Sequence, residues 1–315
     1  MKALVIRLTQ DGGREKVLVD NWPAPATPTG RKALVQTLYS GVTNGTERGD
    51  LAKGNYAHPD AKLPRGRGYQ NVGRVVQVGP DCMLWNVGDT VYSSRDHQEY
   101  VLAEEDDLAI RLPGEVPFEE APLLGLASIA ARTVRNAHPQ REENILLVGA
   151  GLLGLFILQF LKTEEAKVTV CDLNSGRLEL AASLGADTTI PSDNSFWGSE
   201  NLEESFDAVI DAAGVPGMED RLLTAVRLGG QILFVGGRPR VDYNFNLGQM
   251  REITIRQNNH FTQQDLELAL QRLVNGSLQV RPLLRDIVPV SDADAVYRKL
   301  ASQPDDLLGV VFDWQ

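Results

Sequence analysis

The chain has 315 residues, 43% hydrophobic and 23% charged, the composition of an ordinary globular protein and more than one typical domain of ~150 residues, so two cores are expected. With 31 basic residues against 42 acidic ones the net charge is −11, which disfavours non-specific attraction to nucleic acid or to an anionic membrane. Two cysteines, Cys82 and Cys171, cannot build a four-cysteine zinc site, and neither is assigned a role.

The N-terminus runs directly into a strand-like Ala3-Leu4-Val5-Ile6 with no signal-peptide pattern, which predicts a cytoplasmic protein. Up to about residue 115, short apolar or alternating runs follow at 2–7, 33–39, 72–78, 90–93 and 99–103, separated by Gly, Pro and Asp. No helix-length amphipathic pattern competes there. From about Glu119 the texture changes to a helical stretch at 121–137, then strands at 145–148, 168–171, 188–190, 208–211, 232–235 and 253–256 with helical intervals. That alternation predicts a parallel, doubly wound sheet with helices on both faces. An amphipathic helix at 263–274, a strand near 287–290, a helix at 293–300 and a final strand at 309–312 complete the chain, and the last segment is free to return to the first domain.

Within this pattern the run Ile145-Leu146-Leu147-Val148 opens into Gly149-Ala150-Gly151-Leu152-Leu153-Gly154, then a helix, a second strand and Asp172, 18 residues past the last glycine. A strand, a GxGxxG turn, a helix and a distal acid in register predict a dinucleotide site. Gly149 turns the chain sharply, Gly151 leaves the backbone open to a pyrophosphate, and Gly154 seats the helix close to the sheet. Helix amides and the helix dipole hold phosphate. Asp172 accepts from ribose hydroxyls and repels a 2′-phosphate, so NAD is expected rather than NADP. The competing reading is a tight turn in another α/β domain, with Asp172 as a cap. Residues 145–161 are also apolar enough to imitate a membrane span, but three glycines and flanking charge favour strand, turn and helix.

The order of Ser40-Gly41-Val42-Thr43-Asn44-Gly45-Thr46-Glu47, Gly68-Tyr69-Gln70-Asn71-Val72-Gly73, Val87-Gly88-Asp89-Thr90-Val91, Glu99-Tyr100-Val101, the glycine turn, Asp211-Ala212-Ala213-Gly214 and Leu228-Gly229-Gly230 resembles the medium-chain dehydrogenase/reductases of the zinc alcohol dehydrogenase superfamily. The resemblance covers nearly the whole chain. It implies a Rossmann NAD-binding domain at 119–261, inserted in a β-rich GroES-like catalytic domain at 1–118 that is completed by 262–315. It further implies cofactor contacts at Leu152, Leu153, Leu173, Arg177, Ala212, Gly214 and Gly236, besides Gly149, Gly151, Gly154 and Asp172.

Zinc-dependent relatives carry Cys-Gly-Thr-Asp where this chain has Asn44-Gly45-Thr46-Glu47, Gly-His-Glu where it has Gly68-Tyr69-Gln70, and a third ligand near Leu124. The four-cysteine structural loop is missing too. No metal is therefore expected, and the chain resembles a zinc-free group that includes hydroxyethyl bacteriochlorophyllide dehydrogenase, notably in its Gly-Thr-Glu-Arg block and in Asp313-Trp314 near its end.

Without zinc, a side chain must manage the hydroxyl proton. Tyr69 stands at the lost histidine position, Thr46 matches the proton-relaying hydroxyl of zinc relatives, Glu47 follows it, and His97 has a reference pKa of ~6.5 suited to neutral pH. The competing readings are a space-filling Tyr69, a backbone-accepting Glu47 and a turn or surface His97, with Asn44 and Gln70 as polar packing. His58, His138 and His260 sit in polar contexts. Arg65, Arg67, Arg95 and Arg238 suggest a substrate with an anionic group, such as a sugar acid or sugar phosphate, against the alternative that they pair with the surplus acids. The expected activity is hydride transfer between NAD(H) and a small-molecule secondary alcohol or ketone. The alternatives are an enone or quinone reductase and a non-catalytic dinucleotide sensor. A homodimer through the strand at 253–256 would suit the family.

Overall fold

The computed structural model describes residues 1–54, 62–199, 202–303 and 307–315; His58 lies outside them. The chain divides into two compact units, one formed by 1–128 with 262–315 and the other by 129–261. The first boundary falls ten residues later than the expected 118/119, inside the helix Leu124–Ala137. The start of that helix is held in the first unit, where the Leu126 N–H donates to Gln70 Oε1 at 3.1 Å.

The second unit carries a parallel sheet in the order Thr188–Pro191, Lys167–Asp172, Asn144–Val148, Phe206–Asp211, Val226–Phe234, Thr254–Gln257. Every pairing in it is parallel. Numbered along the chain from Asn144–Val148, this is the order 3-2-1-4-5-6 of a doubly wound dinucleotide fold. The central strand is apolar throughout Ile145-Leu146-Leu147-Val148 because both of its faces are covered, and all four residues are buried. The segment that imitates a membrane span is broken at Gly149–Gly151 into this strand and the helix Leu152–Thr163. Among the described residues no helix is long and apolar enough to cross a membrane.

The first unit is built mainly on antiparallel pairing, with Leu284–Pro289 and Gly309–Asp313 as a parallel pair. Lys32–Gly41 pairs along one side with Asn71–Val78, and along the other with Tyr100–Glu104 at its start and Gly309–Asp313 at its end, Phe312 standing opposite Ser40. The last strand thus returns to the first unit. A second, smaller sheet pairs Ala3–Leu8 with Arg14–Val19 and Arg65–Gly66.

Four elements depart from the expectation for this region: the strands Arg14–Val19, Arg65–Gly66 and Ala109–Arg111 and the helix Asn44–Leu51. The helix contains two glycines, poor helix formers, and the residues it buries are Glu47 and Asp50. A helix whose inward face is acidic has no apolar period to read, so its existence depends on partners elsewhere in the chain.

Candidate functional site

The glycine turn has the geometry that its spacing requires. Gly149 sits at φ 96°, and a Cβ there would come within 3.0 Å of the Ala213 backbone; a Cβ on Gly154 would lie 1.9 Å from the Gly149 carbonyl oxygen. A Cβ on Gly151 would meet nothing within 4 Å. Two glycines are therefore needed by the protein itself, and the third borders open space where a ligand's backbone approach is possible. Gly151 caps the helix Leu152–Thr163, whose first intrahelical amide is Leu155 donating to Gly151. The amides of Leu152, Leu153 and Gly154 precede it, and such N-terminal N–H groups with the helix dipole form an anion site.

Asp172 ends the neighbouring strand, and its carboxylate is held from both sides. Oδ2 accepts from the Ala150 N–H at 2.7 Å and Oδ1 from the Asn174 N–H at 2.8 Å. Each oxygen keeps a lone pair, so the acid is oriented by the glycine turn and still able to accept from a sugar hydroxyl. Leu173 is exposed; the Arg177 N–H is tied to the Asn174 side chain, which caps the next helix.

On the other side of the central strand, Gly214 (φ 67°) and Gly236 touch: a Cβ on Gly236 would lie 2.3 Å from Gly214 N. Ala212 donates to the Val148 carbonyl. Gly149, Gly214 and Gly236 thus cluster at the carboxyl ends of three adjacent strands, at the point where the strand order reverses. Nicotinamide dinucleotide fits this cradle, since the one glycine over open space is the one a pyrophosphate must pass.

In the first unit, the positions that resemble zinc ligands hold Asn44, Tyr69 and Leu124. The Asn44 amide donates to the Leu307 and Leu308 carbonyls at 3.2 and 2.9 Å. Gln70, fully buried, donates to Gly41 O and Thr43 Oγ1 and accepts from Leu126. Leu124 is apolar and buried. Among the described residues no three His, Cys, Asp or Glu side chains gather as a metal could require. Asn44 and Gln70 are polar packing, while Tyr69 and Thr46 are half-buried, and the Tyr69 carbonyl accepts from Tyr92.

Glu47 and His97 belong to a closed network rather than to an accessible site. Glu47 Oε1 accepts from the Thr43 N–H at 2.8 Å and lies 3.2 Å from His97 Nε2; Oε2 receives Lys16 Nζ at 2.5 Å and Tyr297 OH at 2.7 Å. His97 Nδ1 meets Ser40 Oγ at 2.8 Å, and Trp314 Nε1 donates to the same oxygen at 2.8 Å. One proton arrangement satisfies all of these contacts: Trp314 donates to Ser40, Ser40 to His97 Nδ1, and His97 Nε2–H to Glu47.

Burial by itself would raise the Glu47 pKa, but the Lys16 ammonium and His97 hold it well below the usual carboxylate range. Burial lowers His97 despite the pull of Glu47, so the imidazole is neutral at pH 7. Burial and the adjacent carboxylate push Tyr297 far up. The expectation that Glu47 and His97 act directly as acid or base is therefore corrected: both side chains are at most 2% exposed and their polar atoms are spent on one another. A surface His97 is equally corrected: the residue does lie in the bend between Thr90–Ser93 and Tyr100–Glu104, but it is fully buried. Lys16, Ser40 and Tyr297 had no signal in the sequence, since nothing local to them marks a buried partner.

The arginines are largely accounted for by acids. Arg67 makes a forked contact with buried Asp50 at 2.5 and 3.2 Å, Arg65 lies 3.8 Å from the same carboxylate, and Arg95 pairs with Asp107. Arg238 pairs with Asp211 and Glu219 and is 3% exposed, which corrects its assignment as a substrate contact. Cys171 is buried, and burial pushes its thiol up to about 12, which makes it inert.

Residues 153–275 match the model of the zinc-binding dehydrogenases. The chain is 23% identical to D-xylulose reductase A of Aspergillus oryzae, with 91% of each chain covered. Galactitol-1-phosphate dehydrogenase from Escherichia coli superposes with a TM-score of 0.84 at 21% identity, over 99% of this chain and 100% of that one. A short chain alcohol dehydrogenase from Escherichia coli CFT073 complexed with NADH does so with a TM-score of 0.84 at 18% identity, over 100% and 99%. At these identities the likeness establishes the fold: a parallel Rossmann-like sheet accompanied by separate antiparallel sheets.

Proposed function

We propose that this chain is a medium-chain dehydrogenase/reductase that transfers hydride between NAD(H) and a secondary alcohol or ketone without zinc. The observation that carries the reading is the turn at 149–154, closed where the protein needs it and open at Gly151, beside a carboxylate held by the same turn. NAD supplies the hydride acceptor when bound. The Leu152 and Leu153 amides would hold its phosphates, and Asp172 would accept from the adenosine ribose and repel a 2′-phosphate, which supports NAD over NADP.

The donor set supports zinc independence: Asn44 offers only a neutral amide, whose nitrogen donates to the Leu307 and Leu308 carbonyls, Gln70 has spent its side chain on the protein, and Leu124 has none to offer. That absence also aligns the chain with the zinc-free group of the family. Tyr69 then holds the proton at its phenol oxygen, with the Thr46 hydroxyl as relay. The likeness to a D-xylulose reductase and to a galactitol-1-phosphate dehydrogenase supports a polyol substrate. Arg65 remains as the contact for an anionic group on it, because its Nε is buried without a hydrogen-bond partner among the described residues. A cytoplasmic homodimer joined through the edge strand Thr254–Gln257 completes the proposal.

The test is a steady-state screen of polyols, polyol phosphates and the matching ketones with NAD(H) and NADP(H), repeated with Tyr69→Phe. Turnover is expected with NAD(H), and Tyr69→Phe should lower kcat by about 100-fold, the worth of a positioned acid or base, with NADH binding unchanged. NADH binding with no turnover of any alcohol, ketone or enone would leave a dinucleotide sensor. Stoichiometric zinc in active enzyme would overturn the metal-free mechanism.

A further inference from the structure

The sequence suggests Arg238 as a contact for an anionic substrate group, and its actual surroundings give it a different task. The strand Phe206–Asp211 and the helix Glu219–Ala225 are joined by a loop, and an acid stands at each end of that loop. Asp211 Oδ1 accepts from the Ala213 and Gly214 amides at 3.1 and 3.0 Å. Glu219 Oε2 accepts from the Gly217 amide at 2.7 Å. Each carboxylate thus holds loop backbone with one oxygen and presents the other to the same guanidinium. Arg238 reaches Asp211 Oδ2 with Nη2 and Glu219 Oε1 with Nη1, the latter at 3.0 Å, and its cation lies 4.7 Å over the Phe234 ring.

All three charged side chains are at most 3% exposed. Among the described residues two carboxylates face this one guanidinium, and burying such charges carries a desolvation cost that their attraction does not readily repay. What the arrangement does achieve is geometric: the fork ties both ends of the 212–218 loop to the loop that follows Val226–Phe234. Those two loops meet at Gly214 and Gly236, where there is no room for a single extra carbon.

We propose that Arg238 is a positioning residue of the dinucleotide site, a staple that holds the half of the crevice on the Gly214 and Gly236 side. The proposal rests on the NAD-binding reading. Asp172, which faces the adenosine ribose, lies on one side of the central strand, and Gly214 and Gly236 lie on the other. A dinucleotide laid across the reversal point therefore rests its adenosine half on one and its nicotinamide half on the other. Loosening the staple should weaken a whole dinucleotide far more than an adenosine fragment.

The experiment compares NADH and ADP binding by calorimetry in the wild type, Arg238→Met and Arg238→Lys, with thermal unfolding in parallel. Arg238→Lys keeps the buried charge and so preserves folding if Arg238→Met does not, but a point ammonium cannot bridge both carboxylates as a fork does. In each variant that folds, NADH affinity should fall by about tenfold or more while ADP affinity stays within about twofold, a separation that a merely structural role would not produce. Equal losses for both ligands, or wild-type NADH affinity in Arg238→Lys, would overturn the staple. A wild type that binds neither ligand would instead remove the dinucleotide reading beneath it.

Discussion

The glycine turn of the second unit and the Glu47 network of the first are both dense in polar groups, and they differ in what they leave unused. Around Gly151 there is open space and a helix N-terminus whose first amides precede the intrahelical ladder. Around Glu47 every oxygen is occupied, by a backbone amide, an imidazole, an ammonium and a phenol. Conspicuous residue types alone do not make a reactive site. The difference lies in whether the surrounding fold has already spent their hydrogen-bonding capacity.

The comparison is broken most forcefully at Glu47. Glu47→Ala leaves Lys16, only 2% exposed, as an unpaired buried charge, and should cost about 3–5 kcal/mol of stability in urea unfolding. A loss below about 1 kcal/mol would mean that water reaches the cluster and that the site is not closed.

Gly151→Val tests the opposite property. Because a Cβ there meets nothing, the melting temperature should stay within a few degrees, while the side chain blocks the pyrophosphate and weakens NADH by about 100-fold, or about 2.7 kcal/mol. Fluorescence titration alongside thermal unfolding reads both. A folded variant with wild-type affinity would place the cofactor elsewhere.

The smallest effect is the pH dependence of the closed cluster. His97 has a folded pKa lowered by burial, so below about pH 6.5 the unfolded chain binds more protons than the native one, and stability falls as pH drops. The slope attributable to one histidine is at most about 1.4 kcal/mol per pH unit. Glu47, whose folded pKa is also lowered, adds a loss in the same direction that begins lower, near the ordinary carboxylate pKa of about 4.3. His97→Gln should flatten the stability curve in the window just below about pH 6.5 and leave the more acidic loss in place. An unchanged slope in that window would show that His97 does not titrate on unfolding.

The second unit was legible because its signals are local. Ile145-Leu146-Leu147-Val148, the three glycines and Asp172 lie within one βαβ passage, and the steric roles of Gly149 and Gly154 follow from spacing alone. The first unit was legible in most of its strands and in the helices Gln263–Val274 and Ala293–Ser302, whose apolar period is local. Asn44–Leu51 escaped because it buries Glu47 and Asp50 rather than an apolar face, and because Lys16 and Tyr297 meet Glu47 from 31 and 250 positions away. Arg238 was noticed for its charge, but its partners Asp211 and Glu219 lie 27 and 19 residues before it, and no short-range pattern joins the three.

The sequence by itself determined the doubly wound sheet, the position of the cofactor turn and the absence of ligand side chains at the positions that resemble a zinc site, because each depends on periodicity or on residue type at close spacing. Only the tertiary structure decided which polar residues face outward and which are consumed. Burial and hydrogen-bond saturation are properties of segments brought together from distant parts of the chain, and they turned Glu47, His97 and Arg238 from candidates for chemistry into side chains committed to partners within the fold.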